Sequence, residues 1–214
     1  MRGGAYQIKG GQDMNTRSAL TPSLSAALLL LLALPACHAR SRPAAQPPLA
    51  GAAIGGPFAL VDQHGRAVTE RSFAGRYRIM YFGYTFCPDV CPTDVAAIAA
   101  GVKLVEGADP ALGRQIVPVF ISVDPVRDTP PVLARFASAF SPRLVALTGS
   151  PAAVAAAAKA YAVYYSRGAT SNGGYLVNHS RQAYLMSKDG KPLALLPTEQ
   201  GPQAVANEIR RWTT

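Results

Sequence analysis

Two cysteines four residues apart, Cys87 and Cys91, lie in the stretch Tyr81-Phe-Gly-Tyr-Thr-Phe-Cys-Pro-Asp-Val-Cys-Pro92, where a buried apolar strand should give way to a helix. Thiols at this spacing can hold a soft metal ion or cycle through a disulfide. Each precedes a proline, and the residue before proline is pushed toward extended conformations, so neither thiol is expected within a regular helix. Pro92 suits a first helical position and Val95 to Val105 supplies helix-compatible apolar residues, which sets Cys91 beside the helix N-cap. The positive helix end would then favour thiolate at Cys91. A plain structural disulfide, or a buried unpaired pair, stays open on spacing alone. So short a disulfide loop would contribute only about 2 kcal/mol, a weak reason to build it.

The elements that must position these thiols read as α/β. Tyr77 to Tyr84 and Ile116 to Val123 are apolar, β-branched and aromatic runs without alternation, the pattern of strands buried on both faces, with the helix near Pro92 between them. A second helix fits Pro130 to Phe140, followed by a short strand from Leu144 to Leu147 and an alanine-rich helix from Pro151 to about Ala162. This alternation implies parallel strands with crossover helices. Phe58 to Val61 and Ala67 to Glu70 flank Gln63-His64-Gly65 as an opening hairpin, with His64 a turn residue. Ala183 to Ser187 and Leu193 to Leu196 flank Lys188-Asp189-Gly190-Lys191, a type I′ hairpin signal, and Gln203 to Trp212 reads as a closing helix. Tyr161, Tyr164 and Tyr165 read as packing residues. Ser171-Asn-Gly-Gly174 reads as a mobile loop ahead of a strand that ends at His179, and no phosphate-binding context surrounds it.

The chain resembles the Sco (SenC) family of copper chaperones over roughly Phe58 to Glu208. The match runs through the cysteine stretch, then Phe120-Ile-Ser-Val-Asp-Pro-Val-Arg-Asp-Thr-Pro130, Leu147-Thr-Gly149, Ala158-Lys-Ala-Tyr161 and Tyr175-Leu-Val-Asn-His-Ser180. Asn178 departs from the pattern, since an aspartate is expected before the histidine. The resemblance implies a thioredoxin-like fold, a central mixed sheet flanked by helices with an N-terminal β-hairpin. It also implies that Cys87, Cys91 and His179 together hold copper, and that the protein helps assemble the dinuclear CuA centre of cytochrome c oxidase. Its expected partners are the copper-binding subunit of that oxidase and other copper carriers. Two thiolates and one imidazole suit Cu(I), with room for a further donor if copper is oxidised, whereas structural zinc asks for four protein ligands. Asp124 and Asp128 follow the second buried strand. Asp124 is the better candidate to support the ligands or contact oxidised copper, and Asp128 the better candidate to cap the helix at Pro130. The same cysteines also fit a thiol-disulfide oxidoreductase, which would not need His179, or a peroxide or redox sensor.

At 214 residues and 49% hydrophobic composition the chain suits one packed domain with an N-terminal extension. The domain is expected over residues 57–214. Arg17, the leucine-dominated run from Ala26 to Leu34 and Leu34-Pro35-Ala36-Cys37 read as an export signal over residues 1–37 ending in a lipobox-like site, with Cys37 as the acylated residue. An ordinary cleaved signal or a short uncleaved anchor is the alternative. Met14 opens a conventional signal, so residues 1–13 read as an upstream extension. Ala, Pro and Gly dominate residues 38–56, the composition of a flexible spacer. These features place the domain outside the cytoplasm, tethered to the membrane of a bacterial cell envelope through an N-terminal lipid or anchor. Of 21 Lys and Arg and 12 Asp and Glu, only three basic and one acidic residue precede Cys37, so the basic excess belongs to the exported portion. The charges are scattered without aromatic interleaving, which argues against nucleic-acid binding.

Overall fold

A computed structural model describes residues 45–171 and 174–213. The opening hairpin is β1 (Ala59–Asp62) with β2 (Ala67–Thr69), followed by β3 (Tyr77–Gly83), α1 (Val90–Ala108), a short α2 (Pro110–Gln115) and β4 (Ile116–Ser122). Then come α3 (Pro130–Phe140), β5 (Val145–Thr148), α4 (Pro151–Ala160), β6 (Tyr165–Ser171), β7 (Gly174–His179), β8 (Ala183–Met186), β9 (Pro192–Leu195) and α5 (Pro202–Trp212). Seven strands form one mixed sheet in the order β2-β1-β5-β4-β3-β8-β9, while β6 and β7 form a separate two-stranded ribbon. The three central strands, β3, β4 and β5, are parallel and the outer pairings antiparallel. This is the thioredoxin-like arrangement expected from the sequence.

The uninterrupted apolar runs of β3 and β4 are explained by burial on both faces. Successive strand side chains point oppositely. Accordingly Tyr81 reaches Asp94 on α1, whereas Phe82 packs on Tyr161 at the end of α4, with ring centroids 5.4 Å apart. Helices therefore cover the two faces of β3. Phe120, Ile121, Leu133 and Leu147 complete the core around it. Truncating one such large side chain to alanine costs about 2–5 kcal/mol through lost burial and the cavity left behind.

Several local expectations need correction. α1 begins at Val90, so Cys91 sits inside its first turn. The first helical N–H groups have no intrahelical acceptor, so Pro92 can occupy this turn without breaking a bond. The β8–β9 loop is not type I′, because Gly190 has φ +84° while Asp189 has no positive φ. Ser187 instead exchanges a hydrogen bond with Lys191 across Lys188-Asp189-Gly190, and glycine fills the left-handed position of a three-residue loop. Tyr161 is core, but Tyr164 is 68% exposed. Ser171 pairs with Gly174 in a β6–β7 ribbon whose first strand was not anticipated, and residues 172–173 lie outside the described residues. Pro47 to Gly55, spacer-like in composition, lies against the domain. The Leu49 N–H donates to the Leu193 carbonyl at 3.0 Å and the Gly55 N–H to the Ala160 carbonyl at 2.8 Å, with Leu49 and Ile54 packed on the core.

α4 ends in a Schellman arrangement, with the Val163 N–H on the Ala158 carbonyl and the Ala162 N–H on the Lys159 carbonyl. The left-handed position there is held by Ala162, at φ 52°. An L-residue with a Cβ is strained in this region by about 1–2 kcal/mol. Glycine would remove that strain while raising unfolded-chain entropy by about 0.4–1 kcal/mol. Ala162→Gly should therefore stabilise the protein by about 0.5–1 kcal/mol, raising Tm by about 2 °C in a thermal melt. A lower Tm would contradict the strain argument.

Candidate metal centre

β3 ends at Gly83, the chain turns through Tyr84 to Asp89, and α1 then carries Cys91 inward. An ideal Cβ at Gly83 would stand 2.9 Å from Cys91 Sγ, 3.0 Å from Tyr81 and 3.1 Å from Phe120. Any larger residue there would displace the sulfur, so a glycine at the end of a buried strand is what lets Cys91 lie against β3. Cys91 is fully buried and Cys87 half-buried, and both thiols are free.

His179, the last residue of β7, closes the site from the ribbon side. Its Nε2 is 3.2 Å from Cys91 Sγ, and its Nδ1 is 2.8 Å from the Ser180 carbonyl oxygen. A carbonyl can only accept, so Nδ1 carries a proton, and in the neutral ring this leaves the Nε2 lone pair facing the sulfur. The Tyr84 and Tyr81 rings meet the imidazole edge-on, at 5.8 and 6.5 Å. The donor atoms of Cys87, Cys91 and His179 all lie within 4.8 Å of one another. Ligand bonds of about 2.0–2.3 Å place three donors around one ion about 3.5–4 Å apart, so a contraction of about 1 Å at the longer separations would bring all three onto it. Among the described residues this is the only grouping of three or more His, Cys, Asp or Glu side chains able to hold a metal.

The two thiols differ, in the opposite sense to that expected from the helix end. Burial pushes the Cys91 thiol up to about 12, only partly offset by a hydrogen bond from the Tyr84 backbone. At Cys87 burial also opposes the thiolate, but hydrogen bonds from the backbone of Asp89, Cys91 and Val90 outweigh it and hold the thiol below its ordinary value. The favourable helix end thus serves the thiol outside it, because a sulfur pressed against β3 loses more to dehydration than the helix returns.

Asp94 ties the two ligand-bearing segments together. Its carboxylate is fully buried, accepts the Tyr81 hydroxyl at 2.9 Å, and receives Arg181 Nε and Nη2 at 2.7 and 2.8 Å. Burial raises the pKa of this carboxyl, but the hydrogen bonds from Arg181, Thr198 and Tyr81 dominate and leave it below the usual range. Arg181 lies two residues beyond His179, so this pair clamps the histidine's segment to α1. No local sequence pattern flags a partnership spanning 87 residues.

The two aspartates of the Asp-Pro-Val-Arg-Asp motif brace the site without touching the ligands. Asp128 does not cap α3, whose N-cap is Thr129. It is fully buried and accepts the Thr85 N–H at 3.0 Å and the Thr85 and Ser122 hydroxyls at 2.6 Å, fastening the cysteine loop to the end of β4. Burial raises its pKa despite these bonds. Asp124 accepts the Tyr175 hydroxyl at 2.7 Å and pairs with Arg127, engaging β7. Cys37 lies outside the described residues.

The thiol asymmetry has a direct readout. At neutral pH a small alkylating reagent should modify Cys87 well before Cys91, the Cys87 rate rising through a pKa below the ordinary thiol value and Cys91 staying protonated until strongly alkaline pH. Peptide mapping of partly alkylated protein measures the order, and preferential labelling of Cys91 would contradict it.

A family model described as SCO1/SenC matches residues 46–214. Protein SenC of Rhodobacter capsulatus is 42% identical over 160 residues, covering 75% of this chain and 71% of that protein. The mitochondrial SCO1 homolog 1 of Arabidopsis thaliana is 45% identical over 144 residues, which cover 66% of this chain and 42% of that longer protein. Among solved structures, copper-bound ScoI of Bradyrhizobium japonicum superposes with a TM-score of 0.67 at 39% identity, covering 74% of this chain and 99% of that one. Copper-bound yeast Sco1 also gives 0.67, at 34% identity over 73% of this chain and 86% of that one. With its cysteine pair and distant histidine brought together beside the end of β3, the chain belongs to the SCO1/SenC family.

Proposed function

We propose that this protein binds copper through Cys87, Cys91 and His179 and serves as a metallochaperone in assembly of the CuA centre of cytochrome c oxidase. The observation that carries this reading is the convergence of two sulfurs and an imidazole nitrogen within 4.8 Å of one another. Two thiolates and one imidazole form a soft set matched to Cu(I). Three protein ligands also leave a position at which an incoming donor can attack, which ligand exchange to the oxidase copper-binding subunit or another carrier requires. Copper-bound homologous structures support the same ion.

The free, half-buried Cys87 with its lowered pKa, next to a second free thiol, favours a companion activity. It can attack a partner's disulfide as thiolate, forming a mixed disulfide. Cys91, once deprotonated, then displaces the partner's thiolate, leaving a Cys87–Cys91 disulfide and a reduced partner. Such reduction would prepare a partner's cysteines to accept metal. The two activities share both cysteines but differ in their need for the imidazole.

Purified reduced protein should bind one equivalent of Cu(I), and Cys87→Ser or Cys91→Ser should abolish tight binding. His179→Ala should bind copper much more weakly and lose copper-dependent oxidase assembly while keeping most of its rate with a disulfide substrate, given verified fold. Unchanged copper affinity and oxidase assembly in that variant would make His179 structural and favour the oxidoreductase.

The leader supports an exported domain held at the membrane by acylation of Cys37, facing the periplasm or extracytoplasmic side. No helix among the described residues is long and apolar enough to cross a membrane. Wild-type protein should partition into detergent with the membrane fraction, and Cys37→Ala should release or misprocess it. Mass spectrometry showing an unmodified mature N-terminus elsewhere would exclude the lipid.

A further inference from the structure

The ribbon that carries His179 meets the cysteine loop through the side chain of Arg127. This residue lies in the connection from β4 to α3, and its guanidinium carbon is 3.7 Å from the Tyr175 ring centroid, 4.8 Å from that of Phe86 and 5.6 Å from that of Tyr84. Tyr175 stands on β7 four residues before His179, whereas Tyr84 and Phe86 flank Thr85 just ahead of Cys87. Arg127 Nε pairs with Asp124, which also accepts the Tyr175 hydroxyl at 2.7 Å. The ring is thereby fixed at its face and at its hydroxyl.

Arg167 lies 3.8 Å from the same ring centroid. Two guanidinium groups that close cannot share one face, so Tyr175 is held between them. The arrangement satisfies hydrogen bonding poorly, since Arg127 Nη2 is buried with no acceptor among the described residues. It does fix the separation between β7 and the cysteine loop. Tyr84 extends the contact to the metal centre by meeting the His179 ring edge-on at 5.8 Å.

We propose that Arg127 is a positioning residue that sets copper affinity by clasping Tyr175 and so holding His179 against Cys87 and Cys91. The inference rests on the copper-binding reading. Arg127 reaches the site through the rings of Tyr175, Phe86 and Tyr84 and through its pair with Asp124. The ribbon lies outside the main sheet, so with the Arg127 side chain removed it is held near the site by the Tyr175–Asp124 hydrogen bond, by the contacts of Tyr84 with His179 and the Val177 backbone, and by the Arg181–Asp94 pair just beyond it, none of which fixes the face of Tyr175. His179 would then face the thiols for only part of the time, and copper affinity would fall by that fraction. Lysine would not replace Arg127, because its compact ammonium cannot stack as a plane on Tyr175 while pairing with Asp124.

A double-mutant cycle tests the coupling, using the purified full chain and Cu(I) affinity measured by competition with a chromophoric chelator. Arg127→Ala should weaken binding by about 10–100-fold, the range for residues that orient metal ligands. In a His179→Ala background the same change should alter affinity by less than about twofold, because the ligand it positions is gone. X-ray absorption of copper-loaded Arg127→Ala should show diminished imidazole scattering with both sulfurs retained, while the reaction of the free thiols with an aromatic disulfide keeps its wild-type rate. Tyr175→Phe, which keeps the ring but drops the bond to Asp124, should give a smaller loss of the same sign. It carries the cycle if Arg127→Ala does not fold. Equal losses with and without His179 would overturn the clasp while leaving copper binding intact. Wild-type protein that binds no Cu(I) would instead overturn the copper reading on which the clasp depends.

Discussion

A buried carboxylate organises this site. Asp94 sits one turn into α1, fully enclosed, and a lone charge there would be untenable without partners. Tyr81 supplies a hydroxyl from β3, and Arg181 supplies two N–H donors from the segment following His179. The need to compensate one charge thus brings together the strand leading to the cysteines, the helix holding Cys91 and the chain that delivers the imidazole. Because these contacts depress the Asp94 pKa, their contribution is complete above the unfolded value of about 3.9 and disappears as pH falls through the lower folded value.

Within the frame the cysteines take separate roles. Cys91 is pressed against Gly83 and faces His179, and its dehydrated sulfur favours the neutral thiol unless a cation compensates its charge. Cys87 lies on the solvent side under backbone N–H groups that favour thiolate. The outer sulfur is therefore the one prepared to meet an incoming metal or disulfide, and the inner sulfur the one to complete the bond.

Much of this was legible in the sequence because it is local. Continuous apolar runs marked β3 and β4, proline at first-turn positions marked the starts of α3 and α4, and the cysteine spacing marked the site. What was not legible depends on tertiary contact. β6 is a polar run, Tyr165 to Ser171, stabilised as a strand by pairing with β7 rather than by any apolar pattern of its own. Arg181 and Arg127 acquire roles from residues far along the chain, and Asp128 turned from a helix cap into a brace because Thr85 folds back onto it. The thiol preference reversed for the same reason, since a helix end can be read from spacing but burial against β3 cannot.

The attachment of Leu49 to Leu193 gives the molecule a mechanical polarity. Leu193 precedes Ala194, which is paired through Leu185 to Ile79 near the start of β3, whereas the cysteines follow the end of that strand. Four residues of strand, about 13 Å at about 3.3 Å per residue, separate the two levels. A pull applied at Leu49 would fall first on the outer edge of the sheet at β9. The point where the described chain enters the domain and the metal centre thus lie at different levels of β3, and strand pairing rather than a direct contact joins them.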